Sequence, residues 1–114
     1  MGNAWGQSGW MSYSVLFATF PNINSAEKIS NELLNRKLVA CVNSLIPIKS
    51  KYWWKGKIEK HSEILMILKI KSKSYKKIET LIKKLHPHEV PEILAINIDK
   101  GNKDYLNWIS SVTE

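Results

Sequence analysis

A chain of 114 residues supports one domain with a single core and leaves no room for a second. With 44% hydrophobic and 24% charged residues it is composed as a folded globule, and its lone Cys41 excludes an intramolecular disulfide. Its charge of +7 attracts acidic partners, yet only Arg36 among 17 basic residues is an arginine, so bidentate phosphate recognition and a specific nucleic-acid role are not expected.

Residues 1–10 are Gly-rich and polar, and residues 1–12 read as a flexible extension ahead of one domain spanning 13–114. No basic-then-apolar leader precedes it, and the longest apolar run, 64–68, falls far short of the ~20 residues of a membrane span. No membrane role is expected, and the expected setting is cytoplasmic. Tyr13 to Phe20 is an apolar, aromatic strand stopped by Pro21. Asn24 then caps a helix, with Glu27 completing a capping box and Ala26, Ile29, Leu33 and Leu34 forming its apolar stripe. Residues 38–44 open a second strand, interrupted at Pro47 and resumed through Ile48, Tyr52 and Trp54. Proline confines that place to a sheet edge or a bulge. Lys55-Gly56-Lys57 is a hairpin turn, and Ile58 opens a third strand whose 64–68 core is apolar on both faces.

Ser74 caps a second helix lined by Ile78, Leu81, Ile82 and Leu85 and stopped by Pro87. Residues 93–98 form a fourth strand, and Gly101-Asn102 leads into a last helix with a stripe of Tyr105, Trp108, Ile109 and Val112. The order β-α-β-β-α-β plus a C-terminal helix predicts an α+β, ferredoxin-like sandwich with an antiparallel sheet.

Two stretches stand apart. Trp53 and Trp54 are adjacent on a strand and must face opposite ways, so one can enter the core while the other needs a second surface. That predicts assembly, with Tyr52, Trp53, Trp54 and Trp108 at subunit contacts. His86-Pro87-His88-Glu89-Val90-Pro91-Glu92 places imidazoles and carboxylates on a stiffened backbone, as a ligand site would. The competing reading is that His86-Pro87 caps the helix and the glutamates pair with lysines. Cys41 is either a small buried hydrophobe or a soft ligand for monovalent copper. Lys69, inside the apolar third strand, must reach a carboxylate such as Glu89 or Glu92, or hold an anion in a cleft. No nucleophile elbow, phosphate-binding glycine loop or paired-carboxylate context appears, so an enzyme is not expected.

The chain resembles the CutA family of divalent-cation tolerance proteins from about residue 14 onward. The resemblance rests on Lys37-Leu38-Val39-Ala40-Cys41-Val42-Asn43, Ile46-Pro47, Tyr52-Trp53-Trp54-Lys55-Gly56-Lys57-Ile58, Leu68-Lys69, His86-Pro87, Glu89-Val90-Pro91-Glu92-Ile93, Gly101-Asn102 and Tyr105-Leu106-Asn107-Trp108. It implies a homotrimer joined through its sheets and long hairpin, and association with copper or another divalent cation. The family's copper-associated cysteine and first histidine are replaced here by Ala18 and Leu85, leaving His86 as the expected main ligand. His88, Glu89 and Cys41 are the candidates to complete the set. The alternative is a trimeric signalling or scaffold module similar to PII-type proteins, with Lys69 and Glu92 in a cleft between subunits that takes a small anionic effector.

Overall fold

The computed structural model describes residues 12–114, so the expected N-terminal extension lies, but for Ser12, outside the described residues. The elements follow the expected order: β1 (Tyr13–Phe20), α1 (Ile23–Asn35), β2 (Cys41–Trp54), β3 (Lys57–Lys71), α2 (Tyr75–Leu85), β4 (Ile93–Asn97) and α3 (Lys103–Val112). The four strands pair antiparallel in the order β2-β3-β1-β4, which leaves β2 and β4 as edges.

Local chemistry moves several boundaries. Asn22, not Asn24, caps α1: its extended backbone lets Oδ1 accept from the Ser25 N–H at 2.8 Å. No such bond caps α2, where a 3-10 turn, Ser72–Ser74, feeds the helix instead. Residues 38–40 precede β2 rather than belonging to it, and Leu38 and Val39 are buried in the core as loop residues. Pro47 meets both of its constraints: β2 is an edge strand, and its pairing with β3 shifts between Leu45 and Ile48. Lys55 (φ 50°) and Gly56 (φ 78°) both take positive φ, matching the twist of a two-residue hairpin.

One face of the sheet is packed. Leu16, Ala18, Phe20, Ile64, Met66, Leu68 and Ile70 meet Ala26, Ile29 and Leu33 of α1 and Ile78, Leu81 and Ile82 of α2 in one cluster. Burying these side chains contributes roughly 1.5–3 kcal/mol for each large one. The alternate positions form the second face. Val15 lies between Lys69 and Ile96, Phe17 between Ile67 and Leu94, and Thr19 beside Leu65. Only one end of this face is closed by α3, through Tyr13 to Ser110 and Lys71 to the Thr113 carbonyl. Leu94 is 46% and Ile96 60% exposed.

The aromatic expectation needs correction. Neither hairpin tryptophan enters the protomer's own core: Trp53 is 73% exposed, and Trp54 is exposed as well. The bulge and the length of β2 and β3 carry this arm past the helices, so no core is there to enter. Of the α3 stripe only Ile109 is buried, while Tyr105, Trp108 and Val112 remain exposed.

Candidate functional site

The arm of the β2–β3 hairpin and the loop after α2 enclose a cleft of about 950 Å³. Cross-strand partners share a face, so register decides what the arm presents. Tyr52 pairs with Glu59, Ser50 with His61 and Ile48 with Glu63, while Lys49, Lys51 and Trp53 alternate with them along the strand and also line the cleft. From the other wall come His88, Glu89 and Glu92. Four of the chain's 10 acidic residues thus line one cleft, beside three lysines, Lys49, Lys51 and Lys55.

Glu63 is the unusual member. It is only 7% exposed, and among the described residues no donor bonds its carboxylate. A buried carboxylate without a partner carries a desolvation cost that a cation would offset. The negative field is felt locally: partial burial, then the charges of Glu63 and Glu59, push the Tyr52 phenol above its ordinary range. His61 lies beside Glu59, with Nε2 3.2 Å from Oε1, and 5.8 Å from the Tyr52 ring.

His86, the expected main ligand, is committed elsewhere. It is 8% exposed and stacks on Phe20 at 4.9 Å. Its Nδ1 accepts from the His88 N–H at 3.0 Å, which makes Nε2 the protonated nitrogen that donates to the Thr19 carbonyl at 2.7 Å. Burial, chiefly, holds this imidazole below the ordinary histidine value. Both ring nitrogens are therefore occupied, and the residue pins the loop to β1. Its backbone N–H also donates to the Ile82 carbonyl, ending α2.

Cys41 and Lys69 belong to a different place. They are cross-strand partners, and Lys69 Nζ donates to Asn43 Oδ1, near which Cys41 Sγ lies at 3.7 Å. Burial first, and then its neighbour Cys41, push the Tyr105 phenol of α3 upward. Lys69 pairs along the sheet with Val15, whereas the cleft begins at Thr19, four residues or ~13 Å along β1. Within one protomer, then, Cys41 does not join His86, His88 and Glu89, and Lys69 reaches neither Glu89 nor Glu92.

The family's copper positions do not fit an ion here. Ala18 is fully buried in the core between sheet and helices, and Leu85 packs against the same core. Sequence reasoning singled out His88, Glu89 and Glu92, which stand on one wall of this cleft, and did not single out Glu59, His61 or Glu63. The available signal was Glu63 itself, a carboxylate directly ahead of the apolar 64–68 run and on the same strand face as Leu65 and Ile67.

Comparisons with known proteins agree with this architecture. The family model described as CutA1 divalent ion tolerance protein matches residues 14–112. The divalent-cation tolerance protein CutA of Archaeoglobus fulgidus is 40% identical over 102 residues, covering 90% of this chain and 99% of that one. Its solved structure, described as periplasmic, superposes with a TM-score of 0.86 over the same shares of each chain. CutA1 from Oryza sativa superposes at 0.88 with 33% identity, over 91% of this chain and 95% of that one. Mouse protein CutA is 41% identical over 103 residues, and the chain covers 90% of itself but only 58% of that protein. Fold, element order and most of the sequence point the same way, and the chain belongs to the CutA1 divalent ion tolerance family.

Proposed function

We propose that this is a homotrimeric divalent-cation tolerance protein that captures copper or a related divalent ion in the cleft between its hairpin and the loop after His86. The observation that carries the reading is Glu63, a buried carboxylate to which no donor bonds among the described residues, facing a cleft that also holds Glu59, Glu89, Glu92, His61 and His88. Carboxylate and imidazole donors suit copper and zinc. The names of the relatives support a role in metal tolerance.

Among the described residues no three His, Cys, Asp or Glu side chains stand close enough to hold an ion. The cleft therefore concentrates cations and binds them weakly, or a neighbouring copy completes the set. The half-open sheet face, with Leu94 and Ile96 exposed, and the exposed Tyr52, Trp53, Trp54 and Trp108 support assembly. Trimer closure would also hide the β2 and β4 edges. Four carboxylates against three lysines leave the lining net negative, which favours the cation over a PII-like ligand. Binding, not catalysis, is the proposed role.

Calorimetric titration with copper(II) tests this reading. At pH ~7.5, Glu63→Gln and His88→Ala should each weaken binding by about tenfold, and wild-type affinity should fall at lower pH because coordinating donors must be free of protons. Wild-type affinity in both variants would overturn the assignment to the cleft.

A further inference from the structure

The cleft beside the hairpin arm is larger and longer than a single ion needs. Its volume of about 950 Å³ is that of a small-molecule site. Glu59 and Glu63 stand four residues apart on β3, which sets them ~13 Å apart along the strand. They share a face of the arm with Tyr52, the cross-strand partner of Glu59. After burial, first Glu63 and then Glu59 push the Tyr52 phenol upward, so its ring lies in the field of both. Glu89 and Glu92 stand on the other wall. Negative charge is strung along the cleft, and no three donors among the described residues gather as a coordination sphere requires.

Two further observations say what kind of cation fits this shape. Glu63 is 7% exposed and no donor bonds its carboxylate among the described residues, so the inner end of the row is a desolvated acceptor. At the arm's tip the Lys55 ammonium sits 5.5 Å from the centre of the Trp54 ring. The lining thus already accommodates a primary ammonium over an aromatic face. Pro87, Val90 and Pro91 add apolar surface of the kind that covers methylene groups. Lys49 and Lys51 line the cleft too, so recognition depends on direct contact with the carboxylates more than on overall charge. A compact metal ion would use neither the rings nor the spread of the carboxylates.

We propose that this cleft binds a linear aliphatic polyamine, extended along the arm between Glu63 and Glu59. One terminal ammonium pairs with Glu63 and the other with Glu59 beside the Tyr52 ring, while Glu89 or Glu92 meets an inner amine. The inference rests on the cleft described above but not on copper, because it requires no imidazole ligand. The protein's net charge of +7 repels a polycation in general, so saturable binding reports a local site.

The test is calorimetric titration of metal-free protein with spermine at low ionic strength and pH ~7.5, where aliphatic amines are protonated. Saturable binding is expected, weakened about tenfold in Glu63→Gln and in Glu59→Gln. Glu27→Gln, which removes the same charge from the exposed side of α1, should bind as wild type does. Putrescine, too short to reach both carboxylates, should bind at least about tenfold more weakly than spermine. Lys55→Gln should tighten binding several-fold, because the native ammonium competes for the Trp54 ring. Copper(II) is titrated separately. Spermine binding without copper binding would overturn the metal reading alone, and copper binding without spermine binding would overturn this proposal alone. Equal loss in Glu27→Gln and Glu59→Gln, or equal affinity for putrescine and spermine, would also overturn it. So would tighter binding of an acetylated tetralysine peptide, which would make a protein segment the occupant.

Discussion

Replacing His86 by alanine should lower the unfolding free energy by about 3 kcal/mol and leave copper affinity close to that of wild type. The substitution removes two hydrogen bonds, leaving the Thr19 carbonyl and the His88 N–H without partners, at ~1–3 kcal/mol for each group that stays buried. It also opens a gap beside Phe20. The same imidazole makes stability depend on pH. Unfolded, it takes a proton near 6.5; folded, burial keeps it neutral to a lower pH. Between those two values the unfolded chain binds more protons, so stability rises with pH there. The contribution is fully present above 6.5 and is lost as pH falls through the window beneath it. Denaturant melts of metal-free protein should show this acid sensitivity in wild type and a shallower slope in His86→Ala. An unchanged midpoint in the variant would remove His86 from its structural role. A collapse of copper affinity without loss of stability would restore it as the ligand.

Ile96→Asp should convert the proposed trimer to monomers at micromolar concentration, as read by light scattering. Ile96 is 60% exposed in the protomer, on an edge strand and on the sheet face that α3 leaves partly open. In an isolated protomer such a surface change costs little, within about 0.5 kcal/mol. Beneath a neighbouring copy it would both forfeit apolar burial and strand a carboxylate away from water, several kcal/mol in each subunit. Retention of helical and sheet circular dichroism in the monomer would separate lost assembly from lost folding. A variant that remains a trimer would exclude this face from the interface.

The fold was legible because each element carries its own local signal. The period of Ala26, Ile29 and Leu33, the Lys55-Gly56 turn and the proline in β2 need no distant partner to be read. Asn22 and Asn24 could not be separated in this way, since both are good caps and only the backbone shows which one stays extended. The cleft was half legible. His88, Glu89 and Glu92 are sequence neighbours, but Glu59, His61 and Glu63 reach them only through the register of a long hairpin. The bond that holds His86 was out of sight for the same reason, because its partner is a backbone carbonyl of β1 distant in sequence. The hairpin tryptophans were read as half core because alternation along a strand gives two faces but not what covers either.

Anomalous diffraction at the copper edge, from crystals of the assembled protein grown with copper(II), addresses the central claim most directly. The predicted result is a peak between the hairpin arm and the loop after His86, within coordination distance of Glu63 and of His88 or Glu89. A peak at Cys41 instead, or a cleft empty of copper at saturating concentration, would contradict it.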